Sequence, residues 1–429
     1  MLFKIFKITL IFLSFIVCYQ FIYHMDCVSR INYQTKEDKK ITYESQHATI
    51  KPEYLSEDEC HQILPCLTNG SWSLKDDLSP EDVQKRIKMD EYIYEYQGFP
   101  RTFTRSDGRC GRKYPPTPKA RKAGSVCDAY STQPCCNEDK GRCGSTPEYC
   151  SCKNCTDFRK YLPAELAQWK TNHDKCRMRD FKHAEACKFF TQHISEMLFV
   201  GDSLTRHIFT ALALILTNNT AMGALNIKMK PKQREKCSGE LQFIDAGKFN
   251  CHVSIARRWE ELPPVCGGKT NFRINLEEAY NVQLLPRAKN AVRKLLNKTG
   301  SVVVLNVGLH MRHNSKHVID KYVGPIVDMV TNSGNGWPKI IWHNLHGIEN
   351  FLRSDINELF TKWKRFNAEM STYLKTKRIA ILDSGQLTRG IRSYDARHFG
   401  LGGNMLKAQV LINYLEQWFK TCRKYEIRE

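Results

Sequence analysis

The chain has 429 residues, 41% of them hydrophobic and 26% charged, and lysine plus arginine exceed aspartate plus glutamate to leave a formal net charge of +20. That length supports a full core with room for about two domains. Its eighteen cysteines exclude an ordinary cytosolic enzyme of this size and point to disulfides formed in an oxidising compartment.

The chain opens with Lys4 and Lys7 followed by a nearly unbroken apolar and aromatic run from Ile8 to Tyr23. We expect residues 1–7 to be a cytoplasmic tail and 8–23 a transmembrane signal anchor, because the basic end stays inside and the rest is translocated. The rival reading, a cleaved signal peptide, lacks a small-x-small site, since Cys18-Tyr19-Gln20-Phe21 is bulky. The expectation is a single-pass type II membrane protein facing the Golgi or endoplasmic reticulum lumen. A span this short suits a thin bilayer, although length sorts proteins only weakly.

Residues 24–52 are polar and aperiodic and read as a stem. From 53 to 175 the composition turns to cysteine, glycine and proline, which reads as a small disulfide-stapled lumenal subdomain. Ser79-Pro80-Glu81-Asp82 signals a helix start leading into Val83 to Tyr96. Sixteen cysteines, an even number, lie from Cys60 onward, while Cys27 stands beside the anchor and is a candidate for a disulfide-linked dimer. The zinc alternative built on Cys152-x-x-Cys155 lacks a second pair at zinc-finger spacing. Sequons at Asn69, Asn154, Asn218 and Asn297 agree with lumenal glycosylation.

From 176 to 429 apolar runs alternate with helical periodicity. Strands are expected at Met197 to Val200, Leu241 to Asp245, Val302 to Asn306, Lys339 to His343 and Ile379 to Asp383. Helices are expected at Leu204 to Leu216, Leu285 to Leu296, Val318 to Val330, Ile356 to Leu374 and Asn404 to Phe419. This pattern predicts an α/β fold with a parallel sheet covered on both faces. Ligands then bind beyond the carboxyl ends of the strands. No internal repeat is evident.

Two segments there carry chemistry. Gly201-Asp202-Ser203 follows the first strand and opens the next helix, so the Ser203 hydroxyl stands at the sheet's carboxyl edge beside free helix N–H groups. Alone, this tripeptide is also ordinary helix capping. Asp395-Ala396-Arg397-His398 precedes the last helix, and an i, i+3 pair on one turn delivers a base and its orienting carboxylate together. Ser203, His398 and Asp395 are therefore the candidate triad. Arg206 and Arg397 flank its halves as candidate anion contacts, against the plainer readings of a solvated helix position and a loop salt bridge. His310-x-x-His313 with His317, and His343-x-x-His346, suggest metal ligands, but no acidic partner arrives at a characteristic spacing and no metal is expected.

The stretch Cys176 to His207, with Cys187-Lys188-Phe189-Phe190 and Phe199-Val200-Gly201-Asp202-Ser203-Leu204-Thr205-Arg206, resembles the segment leading into the nucleophile in the PC-esterase branch of the GDSL/SGNH hydrolase superfamily. That branch includes trichome-birefringence-like polysaccharide O-acetyltransferases, the sialic acid O-acetyltransferase lumenal domain and the neurexophilin-and-PC-esterase proteins. The resemblance covers roughly Cys176 to the C-terminus. It implies a flavodoxin-like three-layer sandwich, with Ser203 as nucleophile and Asp395 and His398 completing the triad. The third block of the superfamily falls at Gly308-Leu309-His310, where His310 replaces the usual asparagine as oxyanion donor. The second oxyanion donor, a glycine in the superfamily, is left open among Gly223, Gly239 and Gly247.

The resemblance implies serine-dependent acyl transfer on glycans, as an O-acetyltransferase or O-acetylesterase of the secretory pathway. No bound cofactor is expected, and acetyl-CoA is a candidate acyl donor. The alternative is a catalytically inactive, membrane-tethered glycan-binding or adhesion protein that keeps the fold. The net charge favours an acidic glycan or a donor's phosphates over nucleic acid, since neither a recognition helix nor an interleaved aromatic platform is present.

Overall fold

The computed structural model describes residues 56–96, 108–110, 127, 132–157, 159, 161–173, 176, 178–245, 250–268, 270–346, 356–394 and 397–422. The expected anchor, the stem, Cys27, Gly247, Asp395 and most of the basic stretch Arg101 to Lys122 lie outside the described residues. Among the described residues no helix is long and apolar enough to cross a membrane. Residues Pro52–Glu429 form one compact unit.

In chain order the strands are β1 Gly70–Leu74, β2 Cys135–Asn137, β3 Arg142–Gly144, β4 Cys155–Asp157, β5 Ala167–Thr171, β6 Glu196–Gly201, β7 Arg273–Glu278, β8 Ser301–Leu305, β9 Lys339–His343 and β10 Ala380–Leu382. The principal helices are α1 Glu57–Thr68, α2 Pro80–Tyr96, α3 His183–His193, α4 Ser203–Thr217, α5 Leu285–Arg293, α6 Gly324–Thr331, α7 Ile356–Thr376 and α8 Leu401–Thr421.

The central sheet runs β10-β9-β8-β6-β7, with every pairing parallel. Numbered by chain order within the sheet, this is the 2-1-3-4-5 arrangement of flavodoxin-like folds. Its switch point, where a ligand crevice forms, lies between β6 and β8. Met197 and Phe199 of β6 enter one apolar cluster with α4 and α8, whereas Leu198 and Val200 enter the other with α5, α6 and α7. Val302 and Val304 against Val303 and Leu305 repeat this division in β8. A pleated strand turns successive side chains to opposite faces, so a strand covered on both sides reads as an unbroken apolar run.

The expected strand Leu241 to Asp245 is not in the sheet. Gly239–Phe243 turns as a 3-10 helix, with Gly239 at φ 62°. The Gln242 amide donates to the carbonyls of Thr220, Ala221 and Gly239, which stabilises the turn. The edge beside β6 belongs instead to β7, paired in register Met197 with Ile274 and Phe199 with Leu276. The helix expected over Val318 to Val330 starts earlier, at Ser315, where Asn314 accepts from the His317 N–H. It passes through a π turn over Ile319–Val323 before α6. Pro325 has no N–H to give, and a wider turn before it re-phases the ladder.

All sixteen cysteines from Cys60 onward are bridged, in eight disulfides. Cys152 and Cys155 bond to each other, which removes the thiolates on which the zinc alternative rests. Four bridges clamp the small antiparallel sheet β3-β2-β4 and its surroundings. Cys60–Cys422 ties α1 to the end of α8 across 362 residues, a long loop whose closure removes much unfolded-chain entropy. The N-terminal elements thus brace the sheet's C-terminal half.

A buried ionic network from α2 continues that brace toward the site. Arg86 donates to Asp90 at 2.9 Å, to Glu240 at 2.6 Å and to the Tyr394 hydroxyl at 3.2 Å. Arg392 reaches the other oxygen of Asp90 at 2.6 Å, and the Tyr394 hydroxyl donates to Glu240 at 3.2 Å. Arg86 and Asp90 are almost fully buried, and each has a second opposite charge, Glu240 for Arg86 and Arg392 for Asp90, so the charges are compensated as a network. Residues 390–394 are therefore held firmly just before His398.

Candidate active site

Ser203 is the first residue of α4, directly beyond β6. Asp202 is the N-cap, and its Oδ1 accepts the Leu204 N–H at 2.9 Å. The turn is tight because a Cβ on Gly201 would stand 2.2 Å from the Asn306 carbonyl oxygen and from Thr205 Oγ1. Glycine is required there by close approach of two chains. Gly308 is required for a second reason, a φ of 147°, and a Cβ on it would collide with the Phe366 ring at 2.4 Å.

His398 arrives on a loop closed across its base. Ser393 bridges Phe399, Tyr394 N–H donates to the His398 carbonyl at 3.2 Å, and Ser393 Oγ donates to the same oxygen at 2.9 Å. This loop sets His398 Nε2 2.7 Å from Ser203 Oγ, across 195 residues of sequence. The expected nucleophile and base are therefore in hydrogen-bond contact. Asp395, the expected orienting carboxylate, lies outside the described residues.

Asp245 also reaches His398. Its Oδ2 stands 3.2 Å from Nε2, the nitrogen that faces Ser203, and its Oδ1 stands 3.1 Å from His207 Nε2. Arg206 pairs with Asp245 and, through its other arm, with Glu278, which Arg257 Nε contacts at 2.6 Å. Arg206 is thus a buried ion-pair partner and neither an anion contact nor a solvated helix position. Burial opposes ionisation of Asp245, but His207, His398 and Arg206 outweigh it and hold the carboxyl well below its ordinary range. Asp245 escapes sequence reading because a lone acid after an apolar run carries no motif. The signal was there only as a charged residue closing Leu241 to Ile244.

Asp202 is different. It is buried, its Oδ2 has no hydrogen-bond partner among the described residues, and burial pushes its carboxyl up despite the Leu204 N–H and the nearby His310, His398 and Arg206. His207 is fully buried and pushed down to about 4 by burial, against the pull of Asp245. Its Nε2 faces the Asp245 carboxylate while Nδ1 has no hydrogen-bond partner among the described residues, so the neutral ring carries its proton on Nε2.

Behind the nucleophile lies a polar layer. Thr205 Oγ1 is 2.9 Å from His343 Nε2, and Asn306 Nδ2 donates to the His343 carbonyl at 2.6 Å. His346 Nδ1 stands 3.3 Å from the Arg397 carbonyl oxygen, and its Nε2 lies 2.9 Å from the Lys407 amine, which also donates to Asn404. A carbonyl only accepts, so Nδ1 carries the proton and Lys407 donates to Nε2. His343 and His346 are both spent on protein partners. Burial also holds the Lys407 amine well below its usual value. Thr205→Val keeps the shape of this buried side chain but deletes its hydroxyl. Urea unfolding of the variant should lose about 1–2 kcal/mol, and an unchanged midpoint would show that this contact stabilises nothing.

The remaining candidates make none of these hydrogen bonds, although His310 is near enough to Asp202 to favour its ionised form. His310 is exposed, with its ring centroid 5.0 Å from that of Tyr280. His317 is exposed on the following short helix. Gly223 N–H donates to the Asn219 carbonyl at 2.9 Å and Gly239 N–H to that of Ala221 at 2.7 Å, so both amides are already used. Asn69, Asn154, Asn218 and Asn297 are all exposed.

No family model matches the sequence, and no curated protein matches it. Solved structures that are similar include the acetylxylan esterase Axe2 of Geobacillus stearothermophilus, at 13% identity over 52% of this chain and 94% of that one, with a TM-score of 0.28. A single-residue variant of Axe2, described as an acetyl-xylooligosaccharide esterase, is 14% identical over 52% of this chain and 94% of that one, with a TM-score of 0.30. Likeness at this level assigns no activity to the chain.

Proposed function

We propose that the chain catalyses serine-dependent acyl transfer on glycans, as an O-acetyltransferase or O-acetylesterase of the PC-esterase branch of the SGNH superfamily. The observation that carries this reading is the 2.7 Å contact between Ser203 Oγ and His398 Nε2 at the switch point of a 2-1-3-4-5 sheet. In this scheme His398 takes the Ser203 proton as Oγ attacks the acetyl carbonyl, and the oxyanion rests on the Ser203 N–H at the start of α4. His398 returns that proton to the leaving alcohol or thiol. It then deprotonates the acceptor that releases the acetyl group. A sugar hydroxyl as acceptor makes the chain a transferase, with acetyl-CoA a candidate donor, and water makes it an esterase.

The cysteine content, the sequons at Asn69, Asn154, Asn218 and Asn297, and the apolar run at 8–23 support a glycosylated type II protein of the secretory lumen. The basic net charge supports an acidic glycan as partner. A fluorophosphonate probe tests the catalytic core, because only an activated serine hydroxyl reacts with it at an appreciable rate. Peptide mapping should place the adduct on Ser203, and incubation with acetylated glycans should release or transfer acetate. A chain that takes no adduct and turns over no acetyl ester belongs to the alternative reading, a glycan-binding protein that keeps the fold.

A further inference from the structure

We infer that Asp245 is a further catalytic residue, whose carboxylate stabilises the protonated His398 ring from the same nitrogen that takes the Ser203 proton. Two oxygens surround one nitrogen here, Ser203 Oγ at 2.7 Å and Asp245 Oδ2 at 3.2 Å. A neutral ring with a lone pair on Nε2 accepts from the serine and gains nothing from a facing carboxylate. A ring with a proton on Nε2 donates to both. The geometry thus complements the state reached after proton transfer better than the state before it, which is how a site lowers a barrier.

The surroundings keep Asp245 ready for that role. Arg206 and His207 hold it in place, and Glu278 with Arg257 hold Arg206. Asp245 remains ionised throughout, so the proton passes from Ser203 Oγ to His398 Nε2 and on to the leaving group with no stop on the carboxylate. Among the described residues, the titratable and charged groups facing His398 are Asp245 and, on α4 and its cap, Asp202, Arg206 and His207, with His346 behind the loop. Asp245 is the one within contact distance of Nε2.

This inference rests on the proposed acyl transfer, and its test separates the two. Asp245→Asn keeps the shape and removes the charge. The acid limb of kcat/KM, which reports His398 in the free enzyme, should move down by about one pH unit. The plateau should fall about tenfold or more, the factor that one such unit represents. Asp245→Glu, which keeps the charge, should hold the limb near its wild-type position, a rescue that a merely structural role does not give. Should the asparagine variant fail to fold, Asp245→Ser carries the same sign. NMR titration of the His398 ring, assigned by its loss in His398→Gln, reads the coupling without turnover. A His398 titration that is the same in wild type and in the charge-free variant overturns the role of Asp245. A wild type that shows the coupling but neither labels nor turns over overturns the acyl-transfer reading instead.

Discussion

Ser203→Ala and His398→Ala should each lower kcat/KM for an acetyl ester on the order of 10^4-fold, and the double variant should lose no more than either single one. The expectation follows from one contact. A serine hydroxyl reacts slowly unless its proton leaves as the bond to carbon forms, and the ring 2.7 Å away is the group placed to take it. Once either partner is missing, the other has no reaction to assist, so their effects do not multiply. The residual rate comes from what remains, the helix N-terminus and whatever binds the substrate. Thermal unfolding should stay within about 1 kcal/mol of wild type for Ser203→Ala, since one hydrogen bond is removed and no cavity of consequence is made. Losses that multiply in the double variant would mean that the two groups act independently, and the proposed relay would then be wrong.

Strands that lie at the centre of a doubly covered sheet were legible because their composition is uniform. Met197 to Val200, Val302 to Asn306 and Lys339 to His343 appear within a residue or so of their expected limits. The edge strand β7 was not, because Arg273, Glu277 and Glu278 interrupt its apolar face, and an apolar segment nearby, Leu241 to Ile244, was the more obvious choice. Hydrophobicity reports burial, and a buried 3-10 turn is as apolar as a strand. The site divides in the same way. Ser203 and His398 could be named because each sits in a short motif at an element boundary, where local chemistry demands particular residues. Asp245 and Lys407 could not, and Arg206 could be named only for a different role, an anion contact. Their roles depend on which distant chain lies opposite, as the passage from Arg206 on α4 to Glu278 on β7 illustrates, and one sequence holds no record of such pairings.

Acidification from pH 7 to about 4.5 should cost the fold on the order of 3 kcal/mol before any carboxylate-driven unfolding begins. His207 and His343 are fully buried, and burial pushes them down to about 4 and about 3 from an ordinary 6.5. Below pH 6.5 the unfolded chain therefore binds protons at these positions that the folded chain does not. Stability must then rise with pH across the window from about 4 to 6.5 and fall when that window is crossed downward. Each ring accounts for a loss of about 2 to 3 kcal/mol by the lower end of that window. Asp202 and Glu240 act in the opposite sense, because burial holds both carboxyls above their usual values and they bind protons in the folded state first. They offset part of the loss. Below pH 4 the depressed carboxyls Asp245 and Glu278 add a further loss as they are forced to protonate. His343→Gln isolates one contribution, since an amide offers Thr205 Oγ1 a partner in place of the imidazole and does not titrate. Urea unfolding at pH 6.5 and 4.5 should show a difference between the two pH values reduced by at least half in that variant. Parallel curves for wild type and variant would mean that His343 protonates as easily inside the protein as outside it, and the polar layer behind Ser203 would have to be wet.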